Sequence, residues 1–340
     1  MGAKRDITFD LMKGIAILAM LCGHCVIPEV LHHFIYMWHM PLFFMVSGYF
    51  FHIKPWKKSL ESSIRGLLVP YVITCGIVLI VSLVLSMDIS EKVIFGTIGV
   101  SSAWLGSDVM VGYGGNGPLW FLLALFWCRI IYDALSRMIL NKWLFGGAVF
   151  CLSILSVMIG SKFYVPFYLA HGIAALIFYY VGNIAHNMSI EKSECKIWCS
   201  LLMLCFVIFG MFIGEPYFYA LYFPNWLGNV LAAICASGVI YYICRLCGNN
   251  KIMAWLAYVG RMSLLLLSVH GIDYMFSFSK TLVYSRLALE GKIAGLLFDS
   301  MLIFIPLLGI VVLPKFSLVR KLFDLYGWNY AARPEGAEAL

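Results

Sequence analysis

The sequence predicts an all-α integral membrane protein, a bundle of about ten transmembrane helices. Of the 340 residues, 62% are hydrophobic and only 12% are charged, whereas about 25% of the residues in an ordinary soluble domain are charged. The apolar residues form long runs with short polar gaps, and about 20 such residues cross a bilayer as a helix. The short alternating segments of a strand barrel are absent, so helices are the structure that satisfies the backbone in lipid.

Each predicted helix is an apolar run between polar or charged residues. The approximate bounds are 9–27, 35–52, 64–86, 117–138, 142–160, 170–187, 196–214, 226–246, 253–275 and 295–314. The second run is short and contains Pro41, so we expect it to be kinked or partly re-entrant. The longest gap, Met87 to Gly117, is too short to bury a core of its own. We therefore expect one polytopic domain over residues 1–330, followed by a tail or expression remnant over 331–340.

The distribution of Lys and Arg predicts the orientation. With the N-terminus inside, nineteen of the 24 basic residues fall on the cytoplasmic flanks. The opposite flanks hold five: Lys92, Lys162, Lys280, Arg286 and Lys292. This bias follows the positive-inside rule and predicts an even number of spans with both termini cytoplasmic. Because the basic residues are scattered over short gaps, they form no patch for nucleic acid.

The first predicted helix carries three polar side chains, Asp10, Lys13 and His24. Their separations of three and eleven residues place them on one helix face, with Lys13 and His24 about 16 Å apart along the axis. Asp10 and Lys13 are close enough to form an ion pair. Polar residues within spans are candidates for function. The alternative is that Asp10 and Lys13 only anchor the helix at the headgroups, where Lys can snorkel.

Three of the histidines in the predicted spans are candidates for the site. His24 is too deep to snorkel, and a buried neutral imidazole is a suitable general base near neutral pH. The alternative for His24 is a core histidine that hydrogen-bonds another helix. His39 opens the second span and His270 lies well inside the ninth. Each either lines the same polar cavity as His24 or packs in the core.

Two further positions have both a functional and a structural interpretation. Arg65, with Lys54, Lys57 and Lys58, forms a basic rim at the cytoplasmic side. The positive-inside rule explains the lysines, whereas an arginine can also bind a phosphate-rich ligand through two parallel hydrogen bonds. Trp120 begins the fourth span and belongs either to the interfacial aromatic belt or to a sugar-binding cavity.

The eleven cysteines do not indicate a metal or redox centre. Most of them lie inside apolar runs, where Cys behaves as a small hydrophobic residue. The segment Cys22-Gly23-His24-Cys25 has the letters of a thiol–disulfide exchange motif, but no strand precedes it. No HExxH motif is present. We therefore expect no bound metal.

Several segments resemble the bacterial membrane acyltransferase 3 family. Phe9 to His24 resembles its first span and Trp38 to Phe51 its second. Later blocks are similar at Arg65 to Tyr71, Pro118 to Phe121 and Ser263 to Gly271, and the likeness extends from residue 5 to about 315. The variant with Lys13-Gly14 and Gly23-His24 most resembles the fucose 4-O-acetylase-like branch, which modifies surface polysaccharides.

The resemblance implies a multi-pass enzyme of the bacterial inner membrane. It implies transfer of an acyl group, most often acetyl, from cytoplasmic acyl-CoA such as acetyl-CoA to a hydroxyl of a glycan or related sugar. His24 matches the family's essential histidine, and Arg65 matches an arginine implicated in binding the donor. Lys13 stands where many members have Arg, so the charge is kept but the planar fork is lost. We expect the substrate contacts to come from Asp10, His39, Trp120 and His270.

Two other classes of function stay open. A polytopic transporter of a small polar solute or glycolipid is compatible with ten spans and a polar midplane, although the two halves of the sequence show no inverted repeat. A non-enzymatic membrane scaffold is the third hypothesis. The sequence also leaves open a homo-oligomer. Acyl transfer remains the leading hypothesis because it needs a base for the hydroxyl proton, which His24 supplies, and donors for the thioester oxyanion.

Overall fold

The computed structural model describes residues 7–84, 117–190, 197–247, 250–276 and 291–319, together with Val283 and Leu287. In this part of the chain every regular element is helical, and the β-type pairing is an isolated antiparallel bridge between Tyr217 and Tyr222. The predicted helical class is therefore confirmed. The predicted tail 331–340 and most of the long gap after Met87 lie outside the described residues.

The first half of the chain contains six helices among the described residues. They are α1 Thr8–Gly23, α2 Glu29–Tyr49, α3 Trp56–Ser63, α4 Val69–Val84, α5 Trp120–Met138 and α6 Lys142–Gly160. A single π turn, Ile64–Leu68, joins α3 to α4, so the third apolar helix begins eight residues before its predicted start. Helix α2 is continuous through Pro41, and the expectation that it is kinked or partly re-entrant stays a prediction. Helix α6 has its predicted bounds.

The second half contains seven more helices in the described ranges. They are α7 Leu169–Ala174, α8 Leu176–Asn187, α9 Ile197–Gly210, α10 Trp226–Leu246, α11 Lys251–Arg261, α12 Ser263–Phe276 and α13 Gly291–Val312. Short 3-10 turns lie at Pro166–Tyr168, Phe218–Ala220 and Leu313–Lys315. The bounds of α10 coincide with the prediction.

Two helices predicted as continuous are broken. The chain bends by 46° between α7 and α8 and by 66° between α11 and α12. Phe167 and Tyr168, just before α7, have φ angles of 58° and 56°. This left-handed conformation cannot continue a right-handed helix, so helix α7 starts only after it. The first break lies in an apolar stretch and the second has only Arg261 and Ser263 as polar residues beside it, which is why the sequence pattern concealed them.

The described helices identify a multi-pass membrane protein. Five helical segments, one of them α3 and α4 joined through the π turn, are long and apolar enough to cross a bilayer, and the number rises to seven if each bent pair is one span. Helix α1, with 16 residues, is shorter than this length. The number of ten spans and the orientation of the termini remain predictions.

Glycines at two helix crossings bring the central helices together. A Cβ atom at Gly260 of α11 would collide with the carbonyl oxygen of Asp10 in α1, and one at Gly14 would collide with that of Leu256. The same relation holds between α2 and α8, where a Cβ atom at Gly48 would meet the backbone of Tyr179. Small residues allow helix backbones to approach closely in a membrane. These crossings fix α1 and α2, which carry most of the predicted site.

Candidate functional site

A cavity of about 610 Å³ lies between α1, α2, α3, α5, α8 and α12. One end, here called the His24 end, is lined by His24, Tyr36, His39, Trp120, Tyr168 and Tyr219. The other, the Lys13 end, is lined by Lys13, Ser47, His52, Lys54, Ser59 and Arg129. Helix geometry separates the ends, because the eleven residues from Lys13 to His24 correspond to about 16 Å along α1.

The charge in the cavity has one sign. Lys13, Lys54 and Arg129 line it, whereas no aspartate or glutamate of the described chain does. Positive charge concentrated in a cleft with low-dielectric walls attracts anions. The Lys13 end is therefore suited to an anionic ligand.

His24 faces the cavity. It caps the C-terminal end of α1, where its backbone N–H bonds back to Leu21, and its side chain is half-buried. Its ring packs against that of His270, with ring centroids 5.1 Å apart. A ring in the wall of a cavity can reach a ligand, so this placement favours the functional interpretation of His24 over the core interpretation.

His270 has a different environment from the one expected for a substrate contact. Its side chain is fully buried and does not line the cavity. Neither of its ring nitrogens has a hydrogen-bond partner among the described residues. His270 therefore contacts His24 rather than the open space, and its expected contact with substrate stays a prediction.

His39 is buried in α2 and lines the cavity. Its Nδ1 lies 2.8 Å from the carbonyl oxygen of Ile35, so Nδ1 carries the proton and donates it. In the neutral ring this bond leaves Nε2 as an acceptor. No group of three His, Cys, Asp or Glu side chains in the described ranges could hold a metal ion.

Asp10 and Lys13 form the ion pair that their spacing predicted. The Lys13 Nζ lies 2.9 Å from Asp10 Oδ1, and Arg261 Nη1 lies 3.7 Å from Asp10 Oδ2. Asp10 is buried and does not line the cavity, whereas Lys13 does. The Asp10 carboxylate thus pairs with Lys13 on the side away from the cavity. The expected contact between Asp10 and substrate stays a prediction.

Arg65 lies apart from the cavity wall. Its side chain is 66% exposed and its Nη2 pairs with Glu61 Oε1 at 2.5 Å. Gly66 and Leu67, the next two residues, do line the cavity. The role of Arg65 in donor binding stays a prediction.

The connection between α9 and α10 supplies aromatic residues to the His24 end. Phe218 is buried and stacks on Trp120, with ring centroids 5.9 Å apart and an interplanar angle of 15°. His171 Nε2 lies 2.9 Å from the carbonyl oxygen of Tyr219, to which it donates. These contacts hold the Tyr219 side chain, which is 44% exposed, at the cavity. Phe218 and Tyr219 are not predictable as site residues from the sequence pattern, because they lie in a gap between predicted helices.

Arg129 and Arg137 are two further residues of the site that the sequence pattern did not predict, because both belong to the flanking charges of the cytoplasmic side. Arg129 lies in the middle of α5 and lines the cavity. Its depth within the apolar run was the signal that could have identified it. Arg137, two turns further along, pairs with buried Asp133 at 2.8 Å and donates to the carbonyl oxygen of Lys54 at 2.5 Å. Arg137 therefore fixes the backbone that carries Lys54.

Comparison with known sequences shows the family of the chain. The profile of a family described as an acyltransferase domain, acyltransferase 3, matches residues 6–320. The Nodulation protein NolL of Sinorhizobium fredii (strain NBRC 101917 / NGR234) is 24% identical over 298 residues, which cover 79% of this chain and 78% of that protein. No solved structure matches the chain.

Proposed function

Because the chain belongs to the acyltransferase 3 family, we propose that it is a membrane O-acyltransferase that uses acyl-CoA. It transfers an acyl group, most often acetyl, to a hydroxyl of a cell-surface glycan or related sugar in the bacterial inner membrane. One observation carries the proposal: a cavity that joins His24 at one end to Lys13 and Arg129 at the other. A donor with an anionic portion and a reactive thioester needs both kinds of residue.

His24 is the proposed general base. One of its ring nitrogens accepts the proton of the acceptor hydroxyl while the hydroxyl oxygen attacks the thioester carbonyl carbon. The C–S bond breaks as the ester C–O bond forms, and the released CoA thiolate takes the proton from His24. The products are an acylated sugar and free CoA, and no oxidant or metal enters the balance.

The two ends of the cavity suit the two substrates. CoA carries a diphosphate and a 3′-phosphate, which match the cationic Lys13 end. Tyr36, Trp120 and Tyr219 at the His24 end offer aromatic faces and hydroxyl groups to a sugar. With the predicted orientation, the Lys13 end faces the cytoplasm, where acyl-CoA is found.

The test is acetyl transfer by the purified chain in lipid nanodiscs. Acetyl-CoA and a glycan fraction from the cell surface are the substrates, and mass spectrometry detects the added acetyl group. We expect His24→Ala to lower the rate at least about 100-fold. His186→Ala is the matched control, because His186 is exposed and does not line the cavity. An undiminished rate in His24→Ala contradicts the proposal.

A transporter is the alternative, and the two broken helix pairs favour it. Discontinuous helices commonly build the substrate sites of transporters, and the chain bends by 46° and 66° at its breaks. Uptake of a sugar or small solute into proteoliposomes without an acyl donor would favour the transporter. Acetyl transfer that depends on His24 would exclude it as the main activity.

A further inference from the structure

The position of Arg129 places a cation inside the cavity. Phe121, Leu122, Leu125 and Arg129 of α5 all line the cavity. Phe121, Leu125 and Arg129 are spaced by four residues and Leu122 lies three before Leu125, so the four share one face of the helix. The Arg129 side chain is half-buried on that face, in the middle of a helix that runs from Trp120 to Met138.

No carboxylate of the described chain neutralises Arg129. Asp133 lies one turn further along α5, where an i,i+4 pair with Arg129 would be possible. Instead Asp133 binds Arg137, which donates to it from Nε at 3.0 Å and from Nη2 at 2.8 Å. A charged side chain at this depth of an apolar helix is costly, and such residues usually mark a ligand or ion pathway. The uncompensated guanidinium therefore points to an anionic ligand.

Three helices independently place polar groups at one depth in the cavity. Arg129 is nine residues from Trp120, Lys13 eleven from His24, and Ser47 eight from His39. These separations are about 14, 16 and 12 Å along α5, α1 and α2. Trp120, His24 and His39 all line the His24 end. Arg129, Lys13 and Ser47 therefore lie in one layer of the cavity, about 12 to 16 Å along their helices from residues of the His24 end.

The chemistry of this layer matches a diphosphate. A guanidinium binds two phosphate oxygens through parallel hydrogen bonds, an ammonium adds a mobile point charge, and a hydroxyl donates a further bond. In CoA an extended pantetheine arm separates the thioester from the diphosphate. A layer about 12 to 16 Å along the helices from residues of the His24 end is a suitable depth for the diphosphate when the thioester is beside His24.

We propose that Arg129, together with Lys13, binds the diphosphate of CoA and so fixes the depth at which the thioester meets His24. This inference rests on the proposed function, since it requires acyl-CoA as the donor. It differs from the expectation for Arg65, whose side chain is exposed and paired with Glu61. Lys54, which also lines the Lys13 end, is then available to bind the 3′-phosphate of CoA.

Isothermal titration of the full chain in nanodiscs with CoA and with 3′-dephospho-CoA tests the inference. We expect Arg129→Gln to raise the Kd at least about tenfold for both ligands, because both contain the diphosphate. Arg129→Lys keeps the charge but loses the planar guanidinium with its paired N–H donors. The Kd of CoA for Arg129→Lys should therefore lie between those of wild type and Arg129→Gln. Arg245→Gln is the matched control, because Arg245 of α10 is exposed and does not line the cavity, so it should leave the Kd unchanged.

Each result has a distinct meaning. A wild-type chain that binds neither ligand contradicts the proposed donor itself. A wild type that binds CoA while Arg129→Gln binds equally well overturns the role of Arg129 alone. A loss in Arg129→Gln that is seen with CoA but not with 3′-dephospho-CoA overturns the assignment to the diphosphate. If the Tm shows that Arg129→Gln does not fold, the Kd of CoA for Arg129→Lys is the deciding measurement. A Kd equal to that of wild type overturns the inference, and a raised Kd supports it.

Discussion

The imidazole of His270 packs against the imidazole of His24, with ring centroids 5.1 Å apart and planes inclined by 36°. His24 reaches the cavity at the end of α1, whereas His270 is fully buried in α12. The second ring therefore supports the first from the side away from the ligand. In the proposed reaction His270 is a positioning residue, and its contribution depends on whether it supplies ring volume or a polar nitrogen.

Substitutions at His270 separate these two contributions. Neither ring nitrogen of His270 has a hydrogen-bond partner in the described part of the chain, so we expect ring volume to dominate. His270→Phe should keep most of the transfer rate, whereas His270→Ala should lower it about tenfold by letting the His24 ring move. The pH profile of kcat is the second measurement and should be the same in wild type and His270→Phe. A rate in His270→Phe as low as in His270→Ala would show that a nitrogen is needed.

The sequence was sufficient for features that depend on one helix. The stripe of Asp10, Lys13 and His24 follows from helical periodicity, and the Asp10–Lys13 pair forms as predicted. The bounds of α6 and α10 were predicted because polar residues stop their apolar runs on both sides. In each case the information is local.

Features that depend on packing between distant segments could not be predicted. The break between α11 and α12 lies at Met262, where Arg261 and Ser263 are the polar residues in an otherwise apolar stretch. Arg129 has the same charge as the residues that flank the spans, so its charge alone does not distinguish it. Only the fold shows that the nearby Asp133 forms its ion pair with Arg137. Tyr219 faces the cavity because His171, 48 residues away, holds its carbonyl oxygen. None of these relations leaves a periodic signal in the sequence.

Loss of the Asp10 carboxylate should weaken both the fold and donor binding. Asp10 lies between Lys13 and Arg261, with its side chain 4% exposed. Asp10→Asn leaves two cations without their shared counter-charge, which should lower the free energy of unfolding by about 3 kcal/mol. Thermal unfolding followed by tryptophan fluorescence measures this, and titration with CoA should show a raised Kd because Lys13 is no longer held. Lys13→Gln added to Asp10→Asn should restore part of the Tm; no restoration would argue against the pair.

The crossing of α1 and α11 should not tolerate a methyl group at Gly260. A Cβ atom there would collide with the carbonyl oxygen of Asp10, which is backbone and cannot rotate away. Gly260→Ala should therefore destabilise the chain by about 1–3 kcal/mol. Gly147→Ala in α6 is the matched control, because a Cβ atom at Gly147 meets nothing within 4 Å. Equal Tm values for the two variants would contradict the tight crossing.

Removal of the Tyr219 ring should weaken binding of the acceptor sugar and leave binding of the donor CoA unchanged. Tyr219 lines the His24 end, where the sugar is proposed to bind. Tyr219→Ala should raise the KM for the glycan fraction about tenfold, through the lost aromatic face, and leave the Kd of CoA unchanged. Tyr222 is also exposed and belongs to the same connection but does not line the cavity. Tyr222→Ala should thus behave as wild type, and an equal effect in both variants would assign the change to the connection as a whole.

Arg137 should prove essential for the shape of the Lys13 end. Its guanidinium holds the carbonyl oxygen of Lys54 and pairs with Asp133, whose side chain is 1% exposed. Arg137→Gln leaves that carboxylate buried without its cation, at a cost of about 3 kcal/mol, which a lowered Tm would report. Arg137→Gln combined with Asp133→Asn removes the buried charge and should recover most of the Tm. The hydrogen bond to Lys54 is still lost, so we expect the double variant to keep a raised Kd for CoA; a wild-type Kd would show that Lys54 needs no support from α5.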